Sequence, residues 1–289
     1  LHKYVFISLS FEKIRKYTDL GNEKEFVTKS MDTSIFIFRV KINRYKKINR
    51  FVFPAAPTAD FRPRVVGGTD AKVDEFPYMA SLRWSQNNSH LCGGSILNSR
   101  TILTAAHCVN GVVVGSIYLN SGGTKYQISK ITVHPDNNAL TFANDIAVLI
   151  TSEAITPSTS VGFISLPSST TGADVKVKLT GWGKTSWSET TPNKTPNTLQ
   201  KINLFTISVK DCQKKLPFYA IFQPILDTNV CTLTKAGEGA CHGDSGGPLA
   251  EGNVLVGVVS RGEACAKGYP DVYARVSSYV AWIKNNMQT

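Results

Sequence analysis

The stretch Gly243-Asp244-Ser245-Gly246-Gly247-Pro248 sets one serine among three glycines. A serine so flanked can present its hydroxyl on a tight turn while backbone N–H groups converge on one point. A developing oxyanion needs that arrangement, because fixed donors in a dry site stabilise its charge best. The same run also reads as an ordinary Gly-rich turn. In Thr104-Ala105-Ala106-His107-Cys108 a histidine stands among small residues beside a cysteine. Such packing holds an imidazole rigidly, and neutral imidazole suits a general base near neutral pH. His90 and His134 read as structural histidines, and His242, next to the serine run, as a cleft residue rather than the base. In the run Asn144–Leu149 one acid, Asp145, opens an apolar strand. An acid at a strand edge is usually solvated, but a buried one can orient a histidine.

These residues lie in the larger part of a chain that divides near residue 64. The 289 residues carry 32 Lys and Arg against 21 Asp and Glu, a net charge of +11. Residues 1–64 hold 14 of the basic and 6 of the acidic residues, a net of +8, which leaves 18 and 15, a net of +3, for the rest. The basic balance therefore belongs to the leader, and neither a nucleic-acid nor a membrane partner is expected. No run approaches the roughly 18 apolar residues of a membrane-spanning helix. Residues 1–64 read as a poorly ordered leader or propeptide, whose Tyr4–Phe11 makes a poor signal peptide. From Val65 the chain turns to short β-branched segments cut by Gly, Pro, Asn and Ser, among them Val112–Leu119, Tyr126–Val133, Ile146–Ile150, Val175–Thr180 and Val254–Val259. That texture predicts an all-β sandwich or barrel. Pro157–Thr171 could link two halves, and Val276, Val280 and Ile283 predict a C-terminal helix over about 276–287. Six cysteines without a CxxC pair favour three disulfides and an oxidising compartment over six buried thiols, with 15 pairings open.

Together the motifs resemble the trypsin/chymotrypsin family of serine proteases over residues 65–289. The likeness runs in order through Val65-Val66-Gly67-Gly68, the His107 motif, Asp145, Gly181-Trp182-Gly183, the Ser245 motif, Ser260-Arg261-Gly262 and Pro270-Asp271-Val272-Tyr273. A single match is weak, but this co-occurrence is specific. The resemblance implies two six-stranded antiparallel β-barrels, about 65–165 and 166–275, with the active site between them. It implies Ser245 as nucleophile, His107 as proton shuttle, Asp145 as the group that fixes the imidazole, and the N–H groups of Gly243 and Ser245 as oxyanion hole. Ser260–Gly262 would pair with the substrate backbone as an added strand. The family pattern pairs Cys92 with Cys108, Cys212 with Cys231 and Cys241 with Cys265. The first closes a loop of about 15 residues, worth roughly 3 kcal/mol.

The same resemblance reads Pro63-Arg64-Val65-Val66-Gly67-Gly68 as an activation site. A cut after Arg64 would free the Val65 α-amine to pair with Asp244. Activity would then rise as His107 loses its proton and fall as the amine, raised above its free value of about 8, loses its own. Trypsins carry an aspartate six residues before the nucleophile, where this chain has Gly239; Asp271 instead stands on the pocket wall. The pocket (Gly239, Ser260, Gly262, Asp271) thus resembles that of crustacean collagenolytic serine proteases. It implies mixed specificity, basic residues together with Leu, Phe or Tyr; otherwise Asp271 faces water or backbone amides and the pocket is chymotrypsin-like. Arg261 replaces the family's aromatic platform, either favouring acidic residues upstream of the cut or simply solvated. The loop Asn120–Lys125 lacks calcium-binding acids, so neither metal nor cofactor is expected. Asn87 and Asn193 begin glycosylation sequons. The resulting expectation is a secreted, monomeric endopeptidase made as a zymogen. Its partners would be protein or peptide substrates, protease inhibitors, and an activating trypsin-like protease or a second copy of itself. A protease-like binding protein without catalysis is the competing class, and such proteins usually lose a catalytic residue that this chain retains.

Overall fold

The computed structural model describes residues 65–289 apart from 110, 115, 117, 186–194, 218–222, 264 and 289, and it describes three strands upstream. Those strands, β1 (Ile14–Asp19), β2 (Glu23–Lys29) and β3 (Ile35–Lys41), form an antiparallel meander within a separate unit that ends at Ala59. Arg64 and Asn193 lie outside the described residues.

The second unit holds β4 (Thr69–Asp70), β5 (Met79–Arg83), β6 (His90–Ile96), β7 (Thr101–Thr104), β8 (Gly111–Val114), β9 (Thr124–Tyr126), β10 (Ile128–Val133) and β11 (Ala147–Thr151). β5 to β11 form one antiparallel sheet in the order β10-β11-β7-β6-β5-β8-β9. Only Gln127 separates the two outermost strands, so the chain itself joins the edges and rolls the sheet. After the linker come β12 (Lys176–Gly181), β13 (Gln200–Ile207), β14 (Asn229–Thr232), β15 (Pro248–Glu251), β16 (Val254–Gly262) and β17 (Asp271–Arg275). Their order is β12-β15-β16-β17-β14-β13, and a β12–β13 pairing closes six strands into a barrel, with β4 added on β13. The all-β, two-barrel architecture expected from the sequence is present.

Side-chain alternation explains the barrel walls. Along β13, Gln200, Ile202, Leu204 and Thr206 point inward while the residues between them reach solvent, the period of two that pleating dictates. β5, β7 and β11 are buried throughout because both faces are covered. Ile96, Leu103, Ile146 and Leu149 share one apolar cluster with Trp182, Leu255 and Val258, so the core runs from one sheet to the other. The segment 157–171 does act as the connector: Ile164 N–H donates to Ile96 O at 3.0 Å, and Ser165 N–H to Asn253 O at 3.0 Å.

The C-terminal helix begins as a 3-10 turn, Val276–Tyr279, and continues as α2 (Val280–Asn286), after α1 (Val209–Lys215) in chain order. Sequence reading missed α1, which spans only 7 residues. Its signal was the cap: Ser208 Oγ accepts from Asp211 N–H at 3.0 Å, three residues on.

The disulfides are Cys92–Cys108, Cys212–Cys231 and Cys241–Cys265, the pairing implied by the resemblance. Cys92 and Cys108 lie 16 residues apart, so replacing both by alanine is expected to cost about 3 kcal/mol. Denaturant unfolding with and without the pair measures it, and a loss below about 0.5 kcal/mol would show that the bond braces nothing.

Candidate functional site

His107 sits just past the end of β7, in the 3-10 turn Ala106–Cys108. Ala105 and Ala106 are buried, and Cys108 is tied to Cys92 in β6, so small residues and a covalent strut fix the imidazole's base. Asp145 arrives from the loop before β11. Asn144 adopts φ 51°, a left-handed geometry that asparagine tolerates, and its amide is held at both ends by Asp136 O and the Tyr279 hydroxyl. That turn drives Asp145 inward to 2 % exposure. Its Oδ2 accepts from His107 Nδ1 at 2.8 Å and from Ser260 Oγ at 2.6 Å, and its Oδ1 accepts from His107 N–H at 3.2 Å. A carboxylate can only accept, so the Nδ1 proton is fixed and Nε2 is left as the basic nitrogen facing the cleft.

Ser245 comes from the second barrel, on a turn pressed against the first. Gly93 N–H donates to Ser245 O at 2.8 Å. Gly246 has φ +75°, and a Cβ there would overlap Thr104 Oγ1 and approach Gly93 O to 2.7 Å, so only glycine fits. Within the turn, Asp244, Gly246 and Gly247 N–H groups each donate to a backbone carbonyl. The N–H groups of Gly243 and Ser245 have no protein acceptor among the described residues. The Gly243 carbonyl is turned away and accepts from His90 Nε2 at 2.9 Å. Two free donors thus remain beside the Ser245 hydroxyl.

His107, Ser245, Ser260, Gly262 and Asp271 line one cleft of about 320 Å³, together with Phe142 and Arg261. Asp271 begins β17 and is 5 % exposed, with Oδ2 accepting from Ala240 N–H at 2.7 Å. A Cβ at Gly239 would approach that oxygen to 2.5 Å, and one at Gly262 would approach Oδ1 to 2.9 Å. The pocket therefore has room for a single carboxylate, supplied by residue 271 rather than 239. Burial raises its pKa to about 7, against the pull of the Ala240 N–H and with a further push from the Asp244 charge. Asp244 itself is wholly buried, accepting from Gly183 N–H at 2.8 Å and Cys241 N–H at 2.9 Å. Burial lifts its pKa to about 7 despite those two donors. β15 leaves β16 at Val258, so beyond Val259 the edge of Ser260–Gly262 opposite β17 is open to an added strand.

The trypsin family profile matches residues 65–283. The chain belongs to the trypsin family. Relatives of this trypsin-like serine protease include trypsin delta of Drosophila erecta, 40% identical over 231 residues, which covers 77% of this chain and 88% of the relative. Chymotrypsin-2 of Vespa crabro is also 40% identical, over 230 residues, 77% of this chain and 99% of the relative. The family's members are hydrolases of the serine peptidase type, and the family profile begins at Val65.

Of the trypsin-family residues singled out in the sequence, His107, Ser245, Ser260, Gly262 and Asp271 line this cleft. Asp145 is buried against His107, Gly239 and Asp244 pack against Asp271 and Gly183, and Val65 joins a buried apolar cluster. One neighbour, Phe142, was not foreseen, and the partners of two others, His90 and Arg261, were not legible in the sequence. His90 anchors the Gly243 peptide, although its sequence context reads as structural. Phe142 sets its ring edge-to-face against His107 at 6.2 Å and carries the Arg261 guanidinium at 5.9 Å. Arg261 is not simply solvated: it donates to Phe142 O at 3.3 Å and Pro224 O at 3.1 Å. His107 with Cys92 and Cys108 is the one grouping of metal-ligand type among the described residues, and the disulfide already uses both sulfurs.

Proposed function

We propose that this trypsin-family chain is a secreted, monomeric serine endopeptidase, made as a precursor and cut after Arg64. The observation that carries the reading is the His107–Asp145 bond of 2.8 Å beside a serine flanked by two unoccupied N–H donors. Ser245 Oγ attacks the scissile carbonyl as His107 Nε2 takes its proton, and the carbonyl electrons move onto oxygen. The Gly243 and Ser245 N–H groups hold that oxyanion. The tetrahedral species collapses to an acyl-enzyme as His107 passes the proton to the leaving amine, and water repeats the sequence to release the acid. Asp145 stays ionised and stabilises the imidazolium. Secretion is supported by three disulfides with no free cysteine. Protein substrates, protease inhibitors and an activating protease of the same family are the partners this activity calls for.

A fluorophosphonate that labels Ser245 after cleavage at Arg64 tests the reading. Absence of labelling in the cleaved, folded chain would leave the noncatalytic binding class in its place.

The pocket supports mixed specificity. Above pH 7 Asp271 is predominantly ionised and favours Lys or Arg before the cut; below it, the protonated acid leaves a pocket suited to Leu, Phe or Tyr. Asp271→Asn is expected to lower kcat/KM after basic residues by about 10²-fold, with cleavage after Leu or Phe changed by less than about threefold. In the unaltered enzyme the ratio of basic to apolar cleavage should climb as pH rises through 7. A peptide library profiled at pH 6 and pH 8 measures both, and a ratio indifferent to pH and to the substitution would exclude Asp271 from selection.

A further inference from the structure

The β5–β6 hairpin carries a charge that the reaction does not use. Arg83 ends β5 and pairs across the hairpin with His90, its side chain only 8 % exposed. Its Nε donates to Ser81 Oγ at 3.3 Å, and among the described residues no other protein atom accepts from the guanidinium. Burial pulls its pKa below the ordinary arginine value. A cation so placed is unfavourable until an anion meets it.

The guanidinium opens on a pocket of about 700 Å³ that includes Asn87, Ser89, His90, Asn120 and Asn197. Arg83 is the one charged residue among the described residues lining it, since burial holds His90 neutral with a pKa of about 4. The remaining polar wall is amide and hydroxyl. Among the described residues it offers no counter-charge, but it can donate to the outer lone pairs of a bound anion. A planar guanidinium with free paired N–H groups matches a carboxylate in shape as well as charge.

The pocket's position follows from a chain of protons. Gly243 O can only accept, so His90 Nε2 carries the hydrogen, and Nδ1 of the neutral ring must accept. Ser81 therefore donates its O–H to His90 Nδ1 at 2.8 Å and receives Arg83 Nε–H on its lone pair. Arg83 is thus joined, through one hydroxyl and one imidazole, to the carbonyl of Gly243, the residue whose own N–H, one peptide group earlier, is the proposed oxyanion donor. With the upstream half of a substrate added to the open edge of Ser260–Gly262, and β6 of the hairpin holding the Ser245 carbonyl through Gly93 N–H, residues after the scissile bond would leave toward the hairpin. We propose that this pocket binds a peptide carboxylate on Arg83, on the leaving-group side of the cut: a downstream Asp or Glu side chain, or the C-terminal carboxylate of a short leaving fragment. Its placement relative to the cut rests on Ser245 being the nucleophile; the binding does not.

Tetrapeptides that mimic the leaving fragment, identical but for Asp against Asn and each with a free or amidated C-terminus, test this by titration against the full chain. Trp84, next to Arg83 and 43 % exposed, supplies the fluorescence signal. The carboxylate-bearing peptide is expected to bind at least about tenfold tighter, as a charge-assisted bond allows. Arg83→Met should abolish that gap, and Arg83→Lys should keep part of it. A gap that follows amidation identifies the terminal carboxylate, and one that follows Asp identifies the side chain. Equal binding of all four peptides by the unaltered chain, a comparison that needs no variant, overturns the proposal, as does a gap that survives in a folded Arg83→Met protein. Hydrolysis of an acyl anilide, which has no downstream residues, by the chain cut after Arg64 separates the two readings. No hydrolysis with intact carboxylate preference removes the nucleophile, while hydrolysis without preference removes the pocket.

Discussion

Ser245→Ala is expected to lower kcat/KM of the cleaved enzyme by about 10⁵- to 10⁶-fold, and adding His107→Ala to it should change little further. Both follow from the way the groups act as one unit. The imidazole has a task only when a hydroxyl gives it a proton, and the hydroxyl is a weak nucleophile unless that proton is taken. Asp145→Asn should fall by about 10⁴-fold, because an amide on Nδ1 no longer fixes the tautomer that leaves Nε2 basic. Fold stability should separate the two. Ser245 is held by its carbonyl, which Gly93 N–H binds at 2.8 Å, and alanine keeps that bond. Asp145 accepts from two side chains and a backbone N–H, so its loss disturbs a buried network. Ser245→Ala is therefore expected to melt within a few degrees of the parent while Asp145→Asn melts lower. Residual turnover of about 10³-fold over water should survive in Ser245→Ala through the two N–H donors and substrate binding, and about 10- to 100-fold more in Asp145→Asn. Undiminished proteolysis by Ser245→Ala would remove the nucleophile from the mechanism.

The proposed triad stands out in the sequence because each member sits in a short run whose neighbours are fixed by local geometry. Gly246 must be glycine to pass Thr104, Ala105 and Ala106 must be small to lie under His107, and Asn144 must enter a left-handed turn to bury the acid after it. Barrel strands announced themselves as β-branched runs in β8, β10, β11, β12 and β16, while β5, β7 and β13 were not singled out; in β5 and β7 both faces are covered and alternation vanishes. The contributions that stayed hidden are those made across long separations. Nothing local to His90 says that it will meet Gly243, 153 residues on. Nothing near Phe142 shows that its ring will lie between His107 and Arg261. The exchange of Gly239 for an acid at 271 was visible by position, but that the two cannot coexist as side chains became apparent only from the 2.5 Å approach.

Blocking cleavage after Arg64, by Arg64→Gln, is expected to cut activity by at least about 10³-fold, since the oxyanion donors depend on a turn whose central residue is a buried acid. Asp244 has only two backbone donors, and burial raises its pKa to about 7. A raised carboxylate pKa opposes folding once the unfolded chain ionises near 4, and the penalty grows as pH climbs to about 7. A cation inside the barrel reverses it. Val65 is fully buried in the same barrel, and its φ of 26° is strained for a β-branched residue in an unbroken chain. A cut removes the preceding carbonyl that defines that angle and creates an α-ammonium at the same point, so strain release and ion pairing act together. The amine's pKa should rise above its free value of about 8. Its stabilisation is then complete below that value and disappears as pH passes the raised one, which sets the alkaline limb of activity. Asp244→Asn should lower activity as severely as Arg64→Gln and abolish that limb. Activity against pH for the cleaved enzyme, the two variants and the cleaved enzyme with an acetylated N-terminus distinguishes these expectations, and full activity after acetylation would exclude the ion pair.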